Sequence, residues 1–337
     1  MDQRNMVAID ANDGCDKPQK KIFIPDILAR WPFPRQLNQH YFKVRVESSA
    51  WLAGFKAFSP KAQQAFDRGN FCLAACLCFP NTCEEHARSA CDFMNLVFVI
   101  DEYTDVLEED EVRQRKDVIM DALRHPHKPR PKGECVVGEV TRHTIRNASG
   151  QAQKLGVVQQ AIDRKGHHIR DIQSYIDVRC RTIGARPSFA LLELGLDIPD
   201  EVISHPTIKD MMAASTEMIA LANDIISYNV EQVRGDDSHM TIKDTDIGES
   251  DHFSGCRHHI LDCWGERRKF FEAAAAIPKW GEPIDSQVRE YCDGLGNWVR
   301  ANHDWSFETE RYLGTNGLEI QRERWILLMP KNHRSKS

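Results

Sequence analysis

Apolar residues recur three and four positions apart over most of this chain, and strand-length alternation of apolar with polar residues is scarce. That spacing lays an apolar stripe along one face of a helix. Pro25, Pro32 and Pro34 punctuate an irregular lead-in, IPDILARWPFPRQLN, ahead of a helix predicted over about 41–58. Ser59-Pro60 closes it. Proline has its φ fixed near the helical value and needs no N–H in a first turn, so a second helix is predicted over 61–79. Pro80 ends that one, and Thr82 can cap a third over 83–107. The stretch HPHKPRPKGE, His125 to Glu134, reads as a loop. Helix is predicted again over 157–183 and 187–194. After Asp200 or Ser204 it resumes, with long segments over 207–232, 263–276 and 284–302. With no internal repeat or low-complexity tract, the pattern predicts one all-α domain.

Two segments break the pattern: VTRHTIRNASGQAQKLG at 140–156 and SHMTIKDTDIGESDHFSGCRHH at 238–259 are polar, without a helical apolar period. Both are expected to bury little area. A length of 337 residues is compatible with a single large helical domain. The formal net charge of -6 argues against a nucleic-acid binder, which would carry a basic patch or stripe. The polar N-terminal stretch lacks the apolar core of a signal peptide, and no run approaches the ~18 apolar residues of a membrane span. A soluble, cytoplasmic protein is therefore expected. Cys72, Cys76, Cys78 and Cys83 cluster in an apolar run without any CxxC pair, which points to core packing rather than zinc or disulfides.

Chemistry gathers in two places. Asp101-Glu102-Tyr103-Thr104-Asp105 follows the apolar run Leu96–Ile100, so a buried helix opens at its end on acids. Asp101 and Asp105, four apart, project from one helix face. In the second place, NDIISYNVE, the residues Asn223, Ser227 and Glu231 recur every four positions and stack along one face for two turns. Their flanks are apolar, so amide, hydroxyl and carboxylate are buried together and must be satisfied. A bound cation would satisfy them. Oxygen donors without histidine favour a hard ion, magnesium, which commonly completes its shell with phosphate oxygens.

As a set these motifs resemble class I terpene cyclases. DEYTD is similar to their aspartate-rich motif and NDIISYNVE to their Asn/Ser/Glu triad. Arg311-Tyr312 in FETERYLG resembles the C-terminal Arg-Tyr pair of the fungal enzymes. YIDVRCRTIGARPSFALLELGL resembles the helix bearing their diphosphate-sensing arginine, with Arg179 at that position. The phrases IPDILARWPFP, FSPKAQQAFDR and GLGNWVRANHDWSFETERY resemble basidiomycete sesquiterpene synthases, in the branch containing Δ6-protoilludene synthases. The resemblance implies a single helical bundle over 21–330 around an apolar cavity, with 1–20 a flexible lead and 331–337 a tail. It also implies magnesium, three ions with diphosphate bound, held by Asp101 and Asp105 on one wall and Asn223, Ser227 and Glu231 on the other. Arg179, Arg311 and Tyr312 would bind the diphosphate of farnesyl diphosphate. Phe98, with Phe79 or Trp305, would face the substrate or the cations derived from it. The implied product is a cyclic sesquiterpene, Δ6-protoilludene through 1,11 closure. Two alternatives stay open: a catalytically impaired paralogue that binds isoprenoid diphosphates, and a prenyl-elongating synthase.

Overall fold

The computed structural model describes residues 21–104, 107, 109–147, 179–180, 183–234 and 254–330. Helices dominate: α1 Tyr41–Gly54, α2 Pro60–Arg68, α3 Phe71–Cys78, α4 Glu84–Thr104, α5 Glu109–Arg124 and α6 Val136–Asn147. After these come α7 Ala185–Phe189, α8 Asp200–Ile203, α9 Pro206–Arg234, α10 Ser254–Ala275, α11 Ile284–Glu308, α12 Glu310–Leu313 and α13 Gly317–Glu323. Two three-residue strands, β1 Lys21–Phe23 and β2 Trp325–Leu327, pair antiparallel with Ile22 opposite Ile326. No helix among the described residues is long and apolar enough to cross a membrane.

Four long or central helices set the architecture. α3 packs between α4 and α11, and α11 in turn packs against α9. α4 also packs on α1 and α6, and α9 also packs on α10. The two oxygen-rich motifs therefore lie on different helices, α4 and α9, either side of the α3–α11 pair. α3 is buried along its whole length, and its sulfurs belong to the core: Cys72, Cys76 and Cys78 are buried and unbridged, as is Cys91 on α4, whereas Cys83 is exposed. At one end Trp31 lies against Phe33, Phe270 and Phe271, and its Nε1 donates to the Gly296 carbonyl at 3.0 Å.

The structure corrects several boundaries. The segment 61–79 is two helices, because Asn70 takes a left-handed conformation (φ 43°, ψ 56°). Its side chain is held there by a 2.8 Å hydrogen bond to the Tyr41 hydroxyl, and the preceding Gly69 carbonyl accepts Trp305 Nε1 at 2.8 Å. α5 and α6 lie where no helix was expected. α5 buries a short stretch, including Ile119, Met120 and Ala122, on one face of an otherwise charged sequence that masks it. α6 overlaps the polar stretch 140–156, yet Val137, Val140, Thr141, Thr144 and Ile145 are buried. Thr141 and Thr144 are accommodated because their hydroxyls donate to carbonyls one turn earlier, at 2.7 and 3.0 Å. Most of the helix expected over 157–183, and most of the polar stretch 238–259, lie outside the described residues.

Gly317 opens α13 where the chain turns back on α11. A β-carbon built there would lie 2.1 Å from the Phe307 carbonyl oxygen, a backbone atom that cannot rotate away. Gly317→Ala is expected to cost about 1–3 kcal/mol and to lower the urea midpoint, read by circular dichroism. An unchanged midpoint would show that this approach is not needed.

Candidate active site

α9 carries the larger part of the site because it is continuously buried from Met218 to Asn229 while one face bears oxygen. Asn223 (6% exposed), Asp224 (1%) and Ser227 (0%) lie among Ile219, Leu221, Ala222, Ile225 and Ile226. Glu231 is half-buried one turn further on. The Ser227 hydroxyl is buried without any hydrogen-bond partner among the described residues. A buried, unpaired hydroxyl is costly, so its presence on the face shared with Asn223 and Glu231 fits an oxygen-coordinated cation. Among the described residues no group of three His, Cys, Asp or Glu side chains is placed to hold a metal ion, so a cation here would rest on the mixed amide, hydroxyl and carboxylate set of α9.

Arginine and tyrosine tie α9 to α4. Arg179 Nε donates to Asp224 Oδ1 at 2.7 Å and its Nη2 to Asn223 Oδ1 at 2.6 Å. Asn223 Nδ2 donates to the Tyr312 hydroxyl at 3.0 Å. The residue next to Tyr312 on α12 faces the opposite wall: Arg311 Nη1 donates to Glu102 Oε1 at 2.7 Å and Nη2 to Asp101 Oδ2 at 3.2 Å. Arg311-Tyr312 thus joins the acidic end of α4 to the amide of α9 through adjacent side chains.

Beneath Arg311 lies an aromatic bed. Its guanidinium carbon is 5.2 Å from the Phe98 ring centroid and 5.6 Å from that of Phe71, and the two rings stack at 3.8 Å. Trp305 closes the group, 5.5 Å from Phe98 and 5.8 Å from Tyr312. Burial opposes the charge on Arg311, but Tyr312, Asp101 and Glu102 outweigh it and hold the guanidinium above its ordinary value. Burial pushes the Tyr312 phenol up, against Arg311 and the Asn223 hydrogen bond. At ordinary pH the arginine is therefore charged and the phenol neutral.

The structure brings together Asp101, Arg179, Asn223, Ser227, Arg311, Tyr312 and Phe98, with Glu231 on the same α9 face; Asp105 lies outside the described residues. Phe79 lies elsewhere, edge-on to Trp298 at 5.8 Å. Two acids at the site, Glu102 and Asp224, do not stand out in the sequence. Each follows a motif residue, about 100° round the helix, and only tertiary placement turns them toward arginine.

The fold is that of the class I terpene synthases. The structure of a hedycaryol synthase in complex with HEPES matches with a TM-score of 0.72 at 17% identity, over 84% of this chain and 98% of that one. A point variant of cucumene synthase matches with a TM-score of 0.71 at 18% identity, over 84% and 100%. The chain belongs to the terpene synthase family, whose enzymes are lyases. The family described as "Terpene synthase family 2, C-terminal metal binding" matches residues 92–243. A Δ6-protoilludene synthase of Stereum hirsutum is 53% identical over 93% of this chain and 89% of its own. One from Armillaria gallica is 50% identical over 93% and 95%.

The Ser227 hydroxyl has no protein partner to lose among the described residues, so Ser227→Ala is expected to leave the urea midpoint unchanged or raised. A loss above about 1 kcal/mol would mean the hydroxyl serves the fold instead.

Proposed function

We propose that this protein is a sesquiterpene synthase that uses magnesium to ionise farnesyl diphosphate and cyclise it, releasing diphosphate. The proposed product is Δ6-protoilludene, formed through initial 1,11 closure. The observation that carries the reading is the Arg311-Tyr312 bridge, which sets cationic and hydroxyl donors between two oxygen-bearing walls. The Δ6-protoilludene synthases from Stereum and Armillaria, similar over nearly the full chain, support the product.

In this reading Asp101, with Asp105, holds magnesium at the α4 wall, and Asn223, Ser227 and Glu231 hold it at the α9 wall, three ions in all with diphosphate bound. Magnesium there would neutralise negative charge developing on the diphosphate as the carbon–oxygen bond breaks. Arg179 and Arg311 already stand beside these oxygens, so a diphosphate bound at them comes within reach of both planar forks. Tyr312 adds a neutral O–H donor. Tyr312 and Arg311 thus stabilise the leaving group without supplying a base beside the new allylic cation. Phe98 and Trp305 bring aromatic rings beneath Arg311, and an aromatic face contributes ~0.5–2 kcal/mol to a passing cation. Phe79, packed on Trp298, would contribute apolar wall. An elongating synthase would carry a second aspartate-rich motif where α9 has NDIISYNVE.

Purified protein incubated with farnesyl diphosphate and magnesium is expected to yield Δ6-protoilludene by gas chromatography–mass spectrometry. EDTA should abolish it, and Asn223→Ala or Ser227→Ala should lower it about 10²–10³-fold. A different cyclic product would correct the cyclisation mode. No hydrocarbon from folded protein would favour an impaired, diphosphate-binding paralogue.

A further inference from the structure

The side of α9 turned away from the proposed metal face also has a specific partner. Asn229 and Gln232 lie roughly 200° and 140° round the helix from Ser227. Both are buried, at 7% and 4% exposure. Asn229 Nδ2 donates to the Leu327 carbonyl at 3.0 Å, and the Met329 N–H donates to Asn229 Oδ1 at 2.9 Å. This side-chain amide thus pairs with the chain as a neighbouring strand residue would, reading one C=O and one N–H two residues apart. Gln232 Nε2 donates to the Met329 carbonyl at 2.8 Å and braces Asn229 Oδ1 at 3.3 Å. The segment so held continues β2, which β1 pins along its length. Ile24 N–H donates to the Arg324 carbonyl at 2.8 Å, and Ile22 and Ile326 are buried.

The position of this strap gives it a consequence. Glu231 lies between Asn229 and Gln232 along α9, so the bonds that tie those two residues to the strap hold the turn that carries its carboxylate. A carboxylate on a loosely held turn would hold a cation loosely, whereas one on a clamped turn is preorganised. We infer that Asn229, with Gln232, is a positioning residue: by gripping Leu327–Met329 it fixes the turn of α9 that carries Glu231 and so sets how tightly Glu231 serves the magnesium site. The inference rests on the proposed function for the identity of the ion, but the grip itself is measurable without it.

The test compares wild type, Asn229→Leu and Met329→Pro, the last removing from the strap side the N–H that Asn229 accepts. Trp31→Phe, which loses the bond to the Gly296 carbonyl and part of the packing on Phe33, Phe270 and Phe271 but leaves the strap's hydrogen bonds in place, serves as a destabilised control. In metal-free protein, hydrogen exchange of the 227–234 amides is expected to quicken about 10-fold in both strap variants and not in the control. The magnesium concentration for half-maximal turnover of farnesyl diphosphate should rise about 10-fold or more, with kcat at saturating magnesium changed much less. The double variant should be no worse than either single one. Faster exchange with unchanged magnesium dependence would reduce the strap to a purely structural role and overturn the inference. Unchanged exchange would overturn it at its first step. Wild-type turnover indifferent to magnesium would sink the proposed function, and the positioning role with it, while the exchange data still reported the grip.

Discussion

Oxygen atoms buried on two separate helices need positive charge beside them, and the upper end of this bundle is organised by that need. Asp224 is almost wholly excluded from solvent, and Asp101 and Glu102 sit partly buried at the end of α4. Oxygen charge withdrawn from water is costly unless a positive group stands beside it. Arg179 answers on α9 and Arg311 on α4, and guanidinium groups keep their charge under burial. The placement of Arg311 depends on the reach of α11, which delivers the short α12 over the aromatic bed, and on the bare Gly317 that lets the chain turn back. Packing far from the chemistry therefore sets the distance between the two walls.

This arrangement couples recognition to neutralisation. The groups suited to a polyanion are held by the groups suited to a cation, so each set keeps the other ordered. The Phe98–Phe71 stack under Arg311 adds a face that attracts the guanidinium without competing for its N–H donors. Tyr312 completes the link as a neutral member, its phenol kept protonated by burial.

Much of this was legible in the chain, for identifiable reasons. α4, α9 and α11 bury apolar faces over five turns or more, long enough for the period to show. Asn223, Ser227 and Glu231 stood out because oxygen donors spaced four apart in an apolar segment would each be buried at a cost unless they shared a ligand. The missed elements share another cause. α5 and α6 do carry a buried face, but the charged and polar sequence around it hides that face, and α6 satisfies its buried threonines locally. The break at Asn70 depends on a tyrosine hydroxyl 29 residues away. β1 and β2 span only three residues each, below the length at which alternation can be seen. Glu102 and Asp224 could not be told from solvent-facing acids until the arginines were placed.

The pairing of Lys21 with Leu327 joins points separated by nearly the entire chain. Loop-closure entropy grows only logarithmically with such a separation, so the thermodynamic penalty is modest. The order of events is affected more. In a chain synthesised from its N-terminus, α4, α9 and the helices between them can collapse before residues 325–329 exist. The small sheet and its grip on Asn229 can then form only after those helices have been made, and a nascent chain would pass through a bundle whose β1 segment is still untied.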